Sequence, residues 1–126
     1  MKMARPTCVC INETKVSEKS LEVHSIREEL TKWFPYDLQY WNCNDVKRSK
    51  KHGYSGTAVF LSEDFPGGKP EKISFDFHKQ GYHDEEGRIT TLHFRTFLLV
   101  AVYVPNSGVP ILERLDYRVK EWDKAF

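Results

Sequence analysis

Two polar residues at the end of a hydrophobic segment have side chains suited to phosphate chemistry. Tyr103 lies near the end of the apolar run 97–104, and Asn106 lies just beyond it. Pro105 and Gly108 predict that the chain leaves its sheet there. Polar groups just past a buried strand lie where open α/β sheets bind ligands. Tyr103 and Asn106 are therefore the first site candidates; the alternative is a tyrosine capping a core strand and an asparagine in an ordinary turn.

An acid and a base follow another apolar segment directly. Residues 7–11 are predicted to form a buried central strand, and Glu13 and Lys15 come immediately after it. A carboxylate there could bind Mg²⁺, which usually takes only one or two protein carboxylates. The alternative is a surface Glu13–Lys15 ion pair of little energetic value. These residues alone do not decide between the two interpretations.

Basic residues cluster in a polar loop that precedes a glycine-flanked tyrosine, Tyr54. The loop, residues 42–52, contains Lys47, Arg48, Lys50 and Lys51. Such a loop could lie along a nucleic-acid backbone, or it could be an ordinary solvated loop. Arg88 begins a later strand after a dense acidic turn, and its guanidinium could hold a phosphate through two hydrogen bonds.

The elements that position these residues follow an α/β order. The central feature is a hairpin of strand 89–94, a turn at 95–96 and strand 97–104, whose unbroken apolar run predicts cover on both faces. Further strands are predicted at 38–41, 57–61 and 72–77.

Two helices with apolar stripes complete the predicted elements. The first spans 20–34, and the second spans 111–126. Residues of both stripes are expected to pack in the core: Ile26, Leu30, Trp33 and Phe34 in the first, and Leu112, Leu115, Val119, Trp122 and Phe126 in the second. The order predicts a mixed, mostly antiparallel sheet with flanking helices, as one domain over 1–126.

Composition and charge narrow the class of protein. The 126 residues are 40% hydrophobic, and 19 basic against 18 acidic residues give a net charge of +1, so any contact with DNA must come from a local patch. No apolar run approaches the ~20 residues that span a membrane, and no signal peptide is evident, so secretion is not expected. The odd number of cysteines (Cys8, Cys10 and Cys43) favours a reducing cytoplasm or nucleus, with buried thiols preferred over a metal-binding pair.

Together these segments resemble the exonuclease III-type abasic-site endonucleases of the endonuclease/exonuclease/phosphatase superfamily. The resemblance rests, in chain order, on Ile11-Asn12-Glu13-Thr14-Lys15, Gly53-Tyr54-Ser55-Gly56, Glu86-Gly87-Arg88, Tyr103-Val104-Pro105-Asn106-Ser107-Gly108, Arg114-Leu115-Asp116-Tyr117-Arg118 and Glu121-Trp122-Asp123. It implies part of a four-layered α/β sandwich and Mg²⁺-dependent (or Mn²⁺-dependent) hydrolysis of DNA 5′ to an abasic site.

The resemblance also implies residue roles. Glu13 would bind the metal with Lys15 beside it, and Tyr103 and Asn106 would bind the scissile phosphate. The backbone of the damaged strand would be held by Tyr54 and Arg88.

Departures from the family pattern shape the expected activity. The family has glutamine where this chain has Asn12, and related enzymes carry a basic residue where it has Val109. The family's first strand, its Gly-Asp-x-Asn motif and its Ser-Asp-His motif are not found, so we expect the N-terminal part of the domain, truncated at both ends. The isolated chain is therefore expected to be inactive and to expose apolar faces that favour self-association.

Two alternatives remain. The chain could be a non-catalytic nucleic-acid-binding or interaction module on the same fold. A lipid phosphodiesterase of another branch is the third hypothesis, which the Tyr54 and Asp116-Tyr117-Arg118 elements disfavour.

Overall fold

Two antiparallel three-stranded sheets pack face to face. A computed structural model describes residues 5–17, 21–44, 53–79 and 81–126, with the backbone alone for 21–24. The first sheet has the order β1-β3-β2, with β1 Cys8–Asn12, β2 Leu38–Asn42 and β3 Thr57–Leu61. The second has the order β4-β5-β6, with β4 Lys72–Ser74, β5 Ile89–His93 and β6 Leu98–Val102. Helix α1 spans Leu21–Trp33, and a π-helical segment, Tyr117–Trp122, continues into the short helix α2, Asp123–Ala125.

Strand β3 is the centre of the packing because both of its faces are covered. Ala58 and Phe60 face a cluster that includes Trp41 and is completed by Ile26 and Leu30 of α1. The alternate residues face the second sheet in an inter-sheet cluster: Val59 and Leu61 with Leu92, Phe94 and Ala101. The described residues therefore form three layers, a helix and two sheets. The α/β class is confirmed, and the fourth layer stays a prediction.

A pair of hydroxyls links the two sheets inside this core. Thr57 and Thr90 lie on facing strands, and their Oγ1 atoms are 2.9 Å apart, within hydrogen-bond distance. Both residues are fully buried. Because each hydroxyl satisfies the other, the sheets can close over them without the cost of an unpaired polar group.

The burial predicted for two strands is wrong. Strand 7–11 was expected to be central, but β1 lies at the edge of the described sheet, and its Cys10 and Ile11 are exposed. Strand 97–104 was expected to be covered on both faces, but β6 is also an edge, and Leu98 and Val100 are exposed. An apolar run shows that a strand is buried somewhere and does not show which face lacks a neighbour.

The outer face of the second sheet is covered over β5 and open over β6. Thr91 lies opposite Val100 in the ladder, so both side chains point to the same face. Thr91 is fully buried, whereas Val100 is 44% exposed. The open part, Leu98 and Val100, is called the outer apolar face below.

The helices agree with the sequence in position more than in packing. Helix α1 is confirmed, but Trp33 and Phe34 are 76% and 51% exposed. At the C-terminus the predicted stripe is wrong, because Trp122 alone of its five residues is buried. The π-helical winding closes turns over five residues, so a stripe with a period of 3.6 does not stay on one face. None of the described helices has the length and apolar character to cross a membrane.

Candidate metal and phosphate site

Two tight loops lie side by side at one end of the first sheet. The first loop follows β1 and contains Thr14 and Lys15. The backbone N–H groups of these two residues donate to the carbonyls of Gly56 and Ser55, at 3.3 and 2.8 Å. Glu13, Lys15 and Ser55 all have left-handed backbone angles, with φ of 58°, 55° and 56°. Non-glycine residues adopt this conformation at a cost that the surrounding structure must offset. The pairing of the loops therefore determines where Glu13 and Lys15 point.

The ends of β1 and β6 meet at this edge, and they bring Glu13 and Tyr103 together. Asn12 Nδ2 donates to the Val102 carbonyl at 3.4 Å, which ties the two strands. Immediately beyond, the Tyr103 hydroxyl donates a short hydrogen bond to Glu13 Oε1. Lys15 Nζ lies 3.8 Å from the other carboxylate oxygen. The structure thus joins three predicted site residues that are up to 90 positions apart.

The electrostatics suit a carboxylate that stays ionised beside a phenol that stays protonated. The Tyr103 hydrogen bond, followed by the charge of Lys15, holds the pKa of Glu13 below its usual range. The same hydrogen bond, together with partial burial, raises the pKa of Tyr103. Glu13 is half-exposed, so its carboxylate is open to a solvated ligand. At neutral pH the pair presents one negative charge and one positioned hydroxyl.

Arg88 lies in the interior directly behind this pair. Its side chain is 1% exposed, and Nε donates to Glu86 Oε2 at 2.6 Å. Nη1 donates to the Tyr103 carbonyl at 3.1 Å, and Nη2 donates to the Tyr54 hydroxyl at 3.1 Å. The guanidinium also lies 4.6 Å from the centre of the Tyr103 ring. The structure shows Arg88 positioning two tyrosines; the direct phosphate contact expected from the sequence stays a prediction.

Glu86 and Arg114 complete this network, and neither was predicted to be a site residue. Arg114 Nη2 donates to both Glu86 oxygens, at 3.0 and 3.1 Å, and Nη1 donates to the Tyr54 hydroxyl at 2.5 Å. The Tyr54 hydroxyl is thus held between two guanidinium groups, which share Glu86 as counter-ion. A functional role for both residues could have been predicted from their positions, because both lie within the segments that carry the family resemblance. The four residues Tyr54, Glu86, Arg88 and Arg114 are called the arginine network below.

The turn that carries Arg88 is held by a second buried acid, Asp84. Asp84 Oδ2 accepts hydrogen bonds from the backbone N–H groups of Arg88 and Ile89 at 2.5 and 2.7 Å. Asn42 Nδ2 also donates to Asp84 Oδ2, at 3.2 Å, and to the Ile89 carbonyl, at 2.7 Å. Burial raises the pKa of Asp84 to about 6, against the opposing effect of these N–H donors. Asp84 is thus a structural acid of the turn and not a solvated one.

Among the described residues, the predicted site residue Asn106 is not part of this arrangement. Asn106 is exposed, and its Oδ1 accepts the Gly108 N–H at 2.9 Å within its own turn. The basic residues Lys47, Arg48, Lys50 and Lys51 lie outside the described residues. Within the described ranges, no group of three or more His, Cys, Asp or Glu side chains is placed to hold a metal. A single exposed carboxylate still fits Mg²⁺, which keeps several of its waters.

Comparisons with known proteins relate the chain to DNA nucleases. No protein-family model matches it. The chain is 33% identical over 121 residues to DNA-(apurinic or apyrimidinic site) endonuclease of Dictyostelium discoideum. It is 36% identical over 121 residues to DNA repair nuclease APEX1 of Danio rerio, and 34% identical over 118 residues to exodeoxyribonuclease of Bacillus subtilis (strain 168). These alignments include 93–96% of the chain but 28–38% of each relative, so the chain spans about a third of the length of the curated relatives it matches.

Proposed function

We propose that this chain, which is homologous to one segment of the exonuclease III-type abasic-site endonucleases, supplies the metal carboxylate and part of the phosphate-binding site of a DNA phosphodiesterase. The substrate is DNA with an abasic site, and the process is base excision repair in the nucleus or cytoplasm. The observation that carries the proposal is the meeting of Glu13 and Tyr103 at the ends of strands from two different sheets. Core packing alone does not require a polar pair at this exposed edge.

The site residues divide the work between charge and position. Glu13 would hold Mg²⁺, or Mn²⁺ in its place, through the exposed part of its carboxylate. When bound, the ion supplies positive charge that stabilises the negative charge developing on a phosphate during hydrolysis. Arg88 holds the backbone carbonyl of Tyr103, and once Glu13 holds the ion the Tyr103 hydroxyl would donate its hydrogen bond to a phosphate oxygen in place of Glu13. Lys15 adds a positive charge beside the carboxylate, and Asn106 follows on the loop beyond Tyr103.

The isolated chain is proposed to bind metal and DNA without cleaving the DNA. Glu13 is the one acid of the described site that is exposed to solvent, and since it would hold the metal, the described site has no second exposed acid to serve as the base. Hydrolysis requires an activated water in addition to a metal. Binding of the substrate needs only the exposed cations and the tyrosine hydroxyls.

The test measures metal binding and incision on the same samples. Mn²⁺ titration followed by electron paramagnetic resonance should show one weak site, and Glu13→Gln should remove it. Glu85 is an exposed neighbour of the arginine network, and the control variant Glu85→Gln should leave the site intact. A duplex with one abasic site should remain uncut with or without Mg²⁺. Unchanged Mn²⁺ binding in Glu13→Gln would contradict the metal role. Cleavage that Glu13→Gln abolishes would contradict inactivity while supporting the site.

A second candidate is a non-catalytic nucleic-acid-binding module, and the single exposed carboxylate favours it. Lys15, Tyr54 and the basic loop would then contact the phosphate backbone without chemistry. Such binding is expected to weaken steeply as salt rises, because bound cations are released from the DNA. DNA binding by such a module would be unchanged in Glu13→Gln. Binding that depends on a metal held by Glu13 would be weakened by the same substitution.

The outer apolar face is proposed as a surface for self-association. Sedimentation measurements would detect such association.

A further inference from the structure

Two cysteine side chains lie beside each other on the outer strand of the first sheet. Cys8 and Cys10 are two residues apart in β1, so both thiols project from the same face of the strand. None of the three cysteines is in a disulfide. Cys10 is exposed, Cys8 is half-buried and Cys43 is buried. The prediction that Cys8 and Cys10 are buried thiols is therefore wrong for Cys10, and β1 presents an accessible pair.

The pair lies at the open border of the inter-sheet core. Cys8 and Cys10 are opposite Leu61 and Val59 in the ladder, and these two residues belong to the inter-sheet cluster. Cys8 packs against that cluster, while Cys10 faces solvent. Burial raises the pKa of the Cys8 thiol to about 11, and the Cys10 thiol adds to the rise by its charge and by a hydrogen bond. Independently of the pKa, side chains two positions apart on one face of a strand are neighbours, which puts the two sulfurs within reach of a single ion.

Two adjacent sulfurs are a ligand set for a soft ion. Thiolates select Cu(I) and Zn²⁺ among the metals of proteins. Structural Zn²⁺ sites take four protein ligands, and the described residues offer no group of three or more His, Cys, Asp or Glu at any one place. Cu(I) is satisfied by two sulfurs, and a half-buried sulfur limits competition from water.

We propose that Cys8 and Cys10 form a two-thiol site for a soft monovalent cation, with Cu(I) as the chemical type. Binding forms two sulfur–metal bonds and breaks two S–H bonds, so two protons are released for each ion and no electron is transferred. The resulting bis-thiolate carries one net negative charge. This site lies on the strand that leads to Glu13 but shares no ligand with it, and it does not depend on the proposed nuclease function.

The experiment is a Cu(I) titration of the reduced chain under anaerobic conditions, in competition with a coloured Cu(I) chelator. We expect one tight equivalent for the unmodified chain and for Cys43→Ser, which removes the buried thiol outside the pair. Cys8→Ser and Cys10→Ser should each weaken binding by more than about 100-fold, beyond the 10–100-fold that a lost outer-shell group costs. Glu13→Gln should bind Cu(I) as the unmodified chain does.

Three results would overturn the proposal. They are full Cu(I) binding by either single variant of the pair, loss of binding in Cys43→Ser, and tighter binding of Zn²⁺ than of Cu(I). Circular dichroism checks that each variant is folded. Because Cys10 is exposed, Cys10→Ser remains decisive even if Cys8→Ser perturbs the core.

Discussion

Replacing Glu86 by glutamine tests whether the arginine network holds the site together. The Glu86 carboxylate accepts three hydrogen bonds from two guanidinium groups, at 2.6, 3.0 and 3.1 Å. Its side chain is 12% exposed, and that of Arg88 is 1% exposed. Glu86→Gln keeps the shape of the side chain and removes its charge, so the buried guanidinium of Arg88 loses the carboxylate that forms its ion pair.

The structure indicates how large the effect should be. Breaking a buried ion pair by removing one partner typically costs about 3–5 kcal/mol. Glutamine retains an amide oxygen that can still accept a hydrogen bond, so we expect a loss of about 3 kcal/mol, the low end of this range. Arg114 is more exposed, at 23%, and its removal leaves Glu86 paired with Arg88. Arg114→Gln should therefore cost less, about 1.5 kcal/mol, the low end for a hydrogen bond to a charged group.

Urea unfolding followed by tryptophan fluorescence is the assay. With a urea dependence of about 1–3 kcal/mol per molar, Glu86→Gln should lower the midpoint by roughly 1–3 M. Glu85→Gln removes the adjacent exposed carboxylate and should stay within about 0.5 kcal/mol of the unmodified chain. The reasoning is refuted if Glu86→Gln is no more destabilising than Glu85→Gln. An order in which Arg114→Gln costs more than Glu86→Gln would also contradict it.

Two further predictions concern the turn that carries Arg88. Because burial raises the pKa of Asp84 to about 6 from its usual 3.8, Asp84 contributes stability that is fully present below pH 3.8 and is lost as the pH rises through 6. The free energy of unfolding of the unmodified chain should thus fall relative to that of Asp84→Asn between pH 3.8 and 6. Urea midpoints of the two proteins that change equally with pH would contradict the raised pKa of Asp84. Gly87→Ala places a Cβ atom 2.6 Å from the Asn42 carbonyl oxygen, whereas at Gly68, with nearly the same φ (65° against 66°), a Cβ meets nothing within 4 Å. Gly68→Ala should cost about 1 kcal/mol for its backbone conformation alone, and Gly87→Ala at least ~2 kcal/mol more in the same assay; equal costs would contradict the steric argument.

Local pattern was enough to predict most elements of the fold. Helix α1 and strands β2, β3 and β5 lie where the apolar periodicity and the turn residues place them. The edge positions of β1 and β6 could not be recognised, because an edge is defined by the absence of a neighbour and not by the residues of the strand itself. The C-terminal stripe failed for another reason, since π-helical winding over Tyr117–Trp122 replaces the period of 3.6 residues on which the stripe was based.

The candidate site was predicted in part. Glu13, Lys15 and Tyr103 were chosen for their positions after strands, and the structure brings these three together. Glu86 and Arg114 were missed because charged residues near turns are usually solvated. Their burial arises only when residues 86–88 and 114 come together around Tyr54, a contact across 60 positions. The basic loop lies outside the described residues, so its role stays a prediction.

The left-handed backbone at Glu13 and Lys15 determines which substitutions at these two positions would raise stability. Glycine or asparagine adopts these angles with less strain than glutamate or lysine. At both positions the present residues are therefore poorer choices for stability than simple replacements would be. A copy of the gene freed from the need to bind metal and phosphate would gain stability by losing them. The positions where simple replacements would relieve backbone strain are thus the positions of the candidate metal site.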